Sequence, residues 1–166
     1  NLIDMTKELI HDYNGRDYRT VWQHARSKFE DVFETKAQKK LLTQNPGWFV
    51  DIGGGYGRSV PLFKQGNRKH VLVDYARNLL EYAHETYKED KSIFYVAADA
   101  YHLPFKDNVF CGGLSVRVMH HMNMPVNFLK EINRTMMKGS RFVMDFANKR
   151  NLFRIFAWIF VILAHF

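Results

Sequence analysis

The hydrophobic residues of this chain fall into short, nearly continuous apolar runs that are separated by longer segments with a single apolar face. The runs are rich in Val, Ile, Leu and Phe and end at charged or glycine-rich positions, which is typical of buried strands. They predict strands at residues 48–52, 70–75, 93–99, 109–116 and 141–147.

Between these runs, apolar residues recur at helical spacing among charged ones. An amphipathic helix is predicted within residues 16–42, before the first strand. The remaining helices are expected at 59–65, at 77–88 and from Pro125 onward, because proline suits the first turn of a helix. This alternation of strands and helices predicts an α/β fold built on a doubly wound, mainly parallel sheet.

Composition narrows the class of protein only a little. The 166 residues, 46% of them hydrophobic, fit a single domain with its own core. Cys111 is the only cysteine and the first ten residues lack the apolar region of a signal peptide, so a reducing, cytoplasmic compartment is expected. The net charge of +7 comes from dispersed basic residues, which favours a solvated surface over contact with nucleic acid or anionic lipid.

The most informative motif is the glycine-rich turn after the first predicted strand, residues 51–57, of sequence DIGGGYG. Glycine permits positive φ and lets a small molecule lie against the main chain, while a following helix N-terminus offers N–H groups to an anion. A tight strand-to-helix connection without a ligand would explain the same pattern. A dinucleotide fingerprint needs a third glycine where this chain has Arg58, so an NAD-dependent reductase is disfavoured.

Three further predicted strands end in segments with polar residues: Asp74, Asp99, and the run of Ser115, Val116 and Arg117. Because the carboxyl ends of parallel strands meet at one edge of a sheet, where ligands bind, we expect these side chains to lie near the glycine turn. Carboxylates at strand ends also cap turns, so the positions alone leave both roles open for Asp74 and Asp99.

The spacing Asp-x-Gly-x-Gly-x-Gly, formed by Asp51, Gly53, Gly55 and Gly57, resembles the first motif of the class I S-adenosylmethionine-dependent methyltransferases. The resemblance continues over residues 45–150 and implies a Rossmann-like fold, S-adenosylmethionine as cofactor and methyl transfer as the activity. The family sheet has seven strands, the last two forming an antiparallel hairpin, and this chain is expected to lack that hairpin.

The resemblance also implies roles for single residues. Asp74 stands where the family places an acid that accepts hydrogen bonds from both ribose hydroxyls, a task that suits a carboxylate. Asp99 stands where an acid accepts from the adenine amino group, and the Ala100 N–H is expected to reach the ring. The implied cofactor-binding residues are Asp51, Gly53, Gly54, Gly55, Gly57, Asp74, Tyr75, Asp99, Ala100, Ser115 and Tyr18.

Two residues depart from the family pattern: Cys111 stands where an Asp is common, and Ser140 replaces a second glycine. Neither position contacts the cofactor in the family, so the departures concern packing. The predicted layout of the single domain, residues 1–166, is an N-terminal helical lid region (1–44), a cofactor-binding core (45–150) and an apolar C-terminal helix (151–166).

His120 and His121 follow the fourth predicted strand, where the family places the reacting methyl group. Histidine titrates near neutral pH, which suits a general base, and His121 is the preferred candidate. A helix-start pair with no chemical role would give the same sequence. No metal site is predicted, because the adjacent pair lacks ligand spacing and a nearby acidic ligand.

The methyl acceptor is expected to be a small molecule. The chain lacks the Asn/Asp-Pro-Pro-aromatic motif of enzymes that methylate DNA amines, and Cys111 lacks the preceding proline of a cytosine C5 nucleophile. The apolar tail, residues 152–166, suggests an apolar acceptor or a peripheral membrane contact, although a buried helix would look the same. The alternative function is a catalytically degenerate S-adenosylmethionine-binding module that regulates a partner.

Overall fold

The computed structural model describes residues 25–42, 46–63 and 68–145 of the chain. These residues form four helices and five strands, which alternate except between the third and fourth strands, together with a short 3-10 helix at Met119–His121. The helices are α1 (Ala25–Leu41), α2 (Val60–Phe63), α3 (Arg77–Thr86) and α4 (Pro125–Thr135). The strands are β1 (Gly47–Ile52), β2 (Arg68–Asp74), β3 (Ile93–Ala97), β4 (Phe110–Ser115) and β5 (Met136–Met144).

The five strands form one sheet in the order β3-β2-β1-β4-β5, and every neighbouring pair is parallel. The predicted α/β, doubly wound fold is therefore confirmed. The chain first moves outward from β1 to β3 and then returns to the other side of β1 at β4. This reversal leaves a crevice between the carboxyl ends of β1 and β4, the place where open α/β sheets bind ligands.

Strand β1 lies at the centre of the sheet and is buried on both faces. On one face, Val50 and Ile52 pack with Phe110 and Phe128. On the other face, Phe49 packs with residues of α2 and with β4. Helix α4 therefore covers one face, and α2 and α3 cover the opposite face. None of the helices in the described ranges is long and apolar enough to cross a membrane.

The first four strands begin and end within two residues of their predicted positions, but the fifth does not. β5 starts at Met136, directly after α4, because Met136 pairs with Phe110. Residues 137–140 then leave the ladder, and regular pairing resumes where Arg141 meets Gly112. Gly139, with φ of +78°, permits this irregular segment. The sequence prediction found only the regular part of the strand.

Candidate functional site

A cavity opens at the carboxyl edge of the sheet, where the segments after β1, β2, β3 and β4 meet. The predicted convergence of these segments is observed. Nine of the residues singled out from the sequence line the cavity: Asp51, Gly53, Gly54, Gly55, Asp74, Tyr75, Asp99, Ala100 and His121. Tyr18 lies outside the described residues, as do most of the predicted lid region and the whole apolar tail.

The glycine turn crosses the end of β2, and the Gly53 and Gly54 N–H groups both donate to the Val73 carbonyl (2.8 and 3.1 Å). A Cβ atom on Gly53 would overlap the Val118 side chain, and one on Gly54 would stand 2.7 Å from Leu72. These two glycines are therefore required by packing within the protein, independently of any ligand.

Gly55 differs from its neighbours. Its φ is +52°, and a Cβ atom there would meet nothing closer than Leu79 at 3.7 Å and Asp74 Oδ2 at 3.8 Å. A side chain at this position would therefore project into the cavity rather than into the protein. Gly57 lies behind the cavity wall, where a Cβ would stand 2.8 Å from the Tyr87 ring, and its carbonyl accepts from the Tyr87 hydroxyl (3.1 Å).

Asp74 joins the glycine turn to the end of β2. Its Oδ2 accepts from the Gly55 N–H (2.8 Å), and its Oδ1 accepts from the Ala76 N–H (2.8 Å). Burial raises the pKa of this carboxyl above its ordinary value, and the backbone hydrogen bonds oppose that shift. A carboxylate has about four lone-pair positions, so Asp74 caps the turn and retains capacity to accept from a ligand.

Asp99 caps the turn that follows β3. Its Oδ1 accepts from the Tyr101 N–H (2.8 Å), and its Oδ2 lies 3.1 Å from Nδ1 of His102. The His102 side chain is 80% exposed, so it can swing away without loss of packing. Oδ2 is then accessible to a donor in the cavity.

Asp51 is the most deeply buried acid of the site, with 1% of its surface exposed. Ser59 donates a hydrogen bond from Oγ to Asp51 Oδ2. Burial raises the pKa of Asp51 to about 7, although the Ser59 hydrogen bond and the positive charge of Arg58 both act to lower it. Near neutral pH this carboxyl is therefore divided between its protonated and ionised forms.

One charged residue beside the cavity, Glu34 of α1, was not predicted from the sequence, whereas Arg58 and Arg117 line the cavity. Arg117, after β4, places its Nε 3.2 Å from Glu34 Oε1 of α1, and Arg58 places its Nη1 3.4 Å from the other oxygen of Glu34. Arg117 has a left-handed backbone, with φ of 59°, and its N–H donates to Asp145 Oδ1. One carboxylate of α1 therefore connects the glycine turn to the segment after β4.

His121 lines the cavity beside Val118 and Met122, whereas its neighbour His120 is exposed. The two imidazole rings have their centroids 3.9 Å apart. Ser115 is buried and does not line the cavity. Its Oγ donates to the Ile52 carbonyl (2.8 Å) and so joins the end of β4 to the end of β1.

The sequence of this chain matches a known protein family. Residues 50–144, from β1 to β5, match the family model of the methyltransferase domain. The chain is also 31% identical over 116 residues to an uncharacterized protein of Methanocaldococcus jannaschii, an alignment that covers 70% of this chain and 48% of that protein. The chain thus spans about half the length of this relative.

Solved structures show the same fold. One is a putative S-adenosylmethionine-dependent methyltransferase of Methanococcus maripaludis, with a TM-score of 0.68, 20% identity, and coverage of 90% of this chain and 72% of that chain. Another is an S-adenosylmethionine-dependent methyltransferase of Aquifex aeolicus, with a TM-score of 0.67, 20% identity, and coverage of 80% and 73%. At these identities the likeness establishes the fold alone.

Proposed function

The chain belongs to the methyltransferase domain family, whose class I members use S-adenosylmethionine, and we propose that it transfers the methyl group of this cofactor to a small, apolar acceptor. The observation that carries the proposal is the shared cavity. It combines two strand-end carboxylates and the bare turn at Gly55 with an apolar wall that includes Val118 and Met122.

The residues present fit the cofactor. Asp74 would accept from the ribose hydroxyls, and Asp99 would accept from the adenine amino group beside the Ala100 N–H. Both carboxylates line the cavity with acceptor capacity that their own turns do not exhaust. The open space beside Gly55 Cα leaves the main chain exposed to a ligand, which is the use of glycine at such a position.

When bound, S-adenosylmethionine supplies an electrophilic methyl group on a sulfonium. Transfer is an in-line displacement, so the protein contributes alignment, exclusion of water and, for weakly acidic acceptors, a base. We assign alignment to Asp74 and Asp99, and proton acceptance to His121, which lies on the cavity wall. The tie between Glu34 and both arginines places α1 next to this cavity, where it would limit access of water.

An apolar acceptor is favoured by apolar side chains close to His121 in the sequence. Val116, Val118 and Met122 line the same cavity as His121, and the charge of Arg117 there is paired with Glu34. The apolar segment 152–166 would complete this pocket or bring the protein to a membrane surface that holds the acceptor. Quinols, and lipids that carry a hydroxyl group, have the required combination of an apolar body and a nucleophilic atom.

Calorimetric titration with S-adenosylmethionine and with NAD tests the cofactor, and release of S-adenosylhomocysteine in the presence of a panel of quinols and hydroxylated lipids tests the transfer. We expect binding of the first cofactor only, and turnover with an apolar member of the panel. No heat with S-adenosylmethionine, or equal binding of NAD, would contradict the proposal. Tight binding without turnover on any acceptor would favour a regulatory module instead.

A further inference from the structure

The segment between β3 and β4 carries the two residues proposed to recognise adenine, yet residues 98–109 contain neither helix nor strand. Something other than repeating backbone hydrogen bonds must therefore fix its shape. Its upstream end is held by β2, because the Ala98 N–H donates to the Asp74 carbonyl (3.0 Å). Its downstream part is held by side chains of helix α4.

Arg134, in the last turn of α4, reaches across to this segment. Its Nη1 donates to the Phe105 carbonyl (2.7 Å) and to Asp107 Oδ1 (2.7 Å), and its Nη2 donates to the Leu103 carbonyl (3.0 Å). The two carbonyls belong to backbone that has no ladder partner. A guanidinium carries several donors in a fixed plane, so it constrains the positions of both carbonyls at once.

Glu131, one turn earlier on α4, completes the arrangement. Its Oε1 accepts from Arg134 Nε (2.8 Å) and its Oε2 from Nη2 (2.8 Å), while Oε2 also accepts from the Leu103 N–H (2.9 Å). With these bonds all five N–H groups of Arg134 have an acceptor. The hydrogen bonds from Arg134 keep the pKa of Glu131 below its ordinary value, so the pair stays ionised.

A second contact joins the same segment to the start of α4. The Met124 N–H donates to the Tyr101 hydroxyl (3.1 Å), and Tyr101 is itself buried in the main core. Asp99 lies two residues before Tyr101 and accepts from its N–H. Residues at the start and at the end of α4 thus both hold the segment on the adenine side of the cavity, although no residue of α4 lines that cavity.

We propose that Arg134 and Glu131 are positioning residues for adenine recognition: together they hold the segment 99–105 so that Asp99 and the Ala100 N–H face the base at the correct separation. This inference rests on the proposed function. It gives the Glu-x-x-Arg sequence of α4 a role in ligand selection at a distance. Without the pair, the segment would keep its attachments at Ala98 and Tyr101 and lose its hydrogen bonds at Leu103 and Phe105.

The test compares S-adenosylhomocysteine with S-inosylhomocysteine, in which oxygen replaces the adenine amino group and ring atom N1 carries a hydrogen. The intact chain should bind the first about 10- to 100-fold more tightly, because a hydrogen bond to a charged acceptor is lost in the second. In Arg134→Gln, this ratio should fall to about threefold or less, with the weaker ligand little affected. Arg134→Lys keeps the positive charge but lacks the planar set of donors of a guanidinium, so its affinity ratio should lie between those of the intact chain and Arg134→Gln.

Lys130→Gln is the matched control, because Lys130 is exposed on the same helix and its replacement removes the same charge. Asp99→Ala serves as the reference for lost recognition, and thermal melts show whether each variant is folded. If Arg134→Gln does not fold, Asp107→Ala removes a single exposed contact and should lower the ratio by a smaller factor.

The outcomes separate the two proposals. Failure of the intact chain to bind either ligand would overturn the proposed function. Loss of discrimination in Asp99→Ala with an unchanged ratio in Arg134→Gln would overturn the positioning role alone, as would an equal loss of affinity for both ligands in Arg134→Gln. Faster amide hydrogen exchange at residues 99–105 in Arg134→Gln, but not in Lys130→Gln, is the expected accompanying result.

Discussion

At the scale of single residues, two glycines with left-handed backbone offer a controlled comparison. Gly55 has φ of +52° and faces the cavity, whereas Gly139 has φ of +78° and a Cβ there would have nothing within 4 Å. Both positions impose the same kind of strain on an alanine, about 1 kcal/mol. Only an alanine at position 55 adds a methyl group to the space beside Asp74.

We therefore expect Gly55→Ala and Gly139→Ala to lose similar amounts of unfolding free energy, about 1 kcal/mol each. Gly55→Ala should also weaken S-adenosylmethionine binding by tenfold or more, because its methyl group occupies ligand space beside the carboxylate. Chemical denaturation and calorimetry measure the two effects. Equal cofactor affinity in both variants would show that the turn is only a chain reversal.

Asp74 has a structural role and a proposed binding role, so its removal should affect both the stability of the protein and its affinity for the cofactor. Asp74→Ala leaves the Gly55 and Ala76 N–H groups without their acceptor and would delete the proposed ribose contact. We expect a loss of about 1 to 3 kcal/mol in cofactor binding, together with a lower melting temperature. A folded variant with unchanged affinity in a calorimetric titration would remove Asp74 from the ribose.

His121 and His120 form a natural pair for testing the base, since one lines the cavity and the other is exposed. His121→Ala should lower kcat by about 100-fold or more, because proton acceptance by a positioned side chain contributes factors of that size. Its cofactor affinity should stay unchanged. His120→Ala should keep most of the turnover. The reverse pattern in steady-state kinetics would reject His121.

The sequence was sufficient to predict residues whose position follows from strand order. Asp51, Asp74 and Asp99 each lie near the end of a strand or shortly after one, and parallel strands bring such positions to a common edge. Arg117 was also expected at this edge, but its pairing with Glu34 was not predicted, because that contact joins positions 83 residues apart and leaves no periodic signal. The site could therefore be predicted on its strand side and not on its helix side.

At the scale of elements, helix α1 is attached to the cavity through Glu34. Ion pairs that are partly exposed contribute about 0.2–1 kcal/mol each, and Glu34 makes two of them. Glu34→Gln should therefore speed amide hydrogen exchange in α1 by about fivefold, and high salt should reduce the difference. Lys36→Gln, which removes an exposed charge from the same helix, is the control. Equal protection in both variants would mean that the pairs do not hold α1.

The start of β5 was predicted wrongly for a physical reason that sequence patterns do not show. Residues 137–140 leave the ladder, and three of these four residues are polar or glycine, as in an ordinary loop. Only the single pairing of Met136 with Phe110 extends the strand backward to the end of α4. Periodicity identifies runs of paired residues, so an isolated pair before an irregular segment is missed.

At the scale of the whole molecule, two buried groups make opposite contributions to the pH dependence of stability. Burial lowers the pKa of His70 to about 3, and neither ring nitrogen has a hydrogen-bond partner among the residues that the structure describes. Its stabilising contribution is complete above about pH 6.5 and is lost as the pH falls toward 3. Asp51, whose pKa is raised to about 7, contributes fully below about pH 4 and loses that contribution as the pH rises toward 7.

Between about pH 4 and 6.5 the two slopes, each about 1.4 kcal/mol per pH unit, oppose one another. Replacing either group should therefore reveal the pH dependence of stability that the other group causes. His70→Leu should make the protein more stable toward acid than the intact chain, and Asp51→Asn should make it relatively more stable as the pH rises from 4 to 7. Denaturant unfolding over this pH range provides the measurement. Parallel pH profiles for the intact chain and both variants would contradict these pKa shifts.

The tie between α1 and the segment after β4 has a consequence for synthesis of the protein. α1 leaves the ribosome first, but Arg117 follows Glu34 by 83 residues. At about 5 to 20 residues per second, this delay lasts about 4 to 17 seconds. During that interval Glu34 can pair with Arg58 but not with Arg117, so the attachment of α1 to the segment after β4 forms only once β4 has been made. A chaperone that engages the emerging chain would meet α1 with this second attachment still missing.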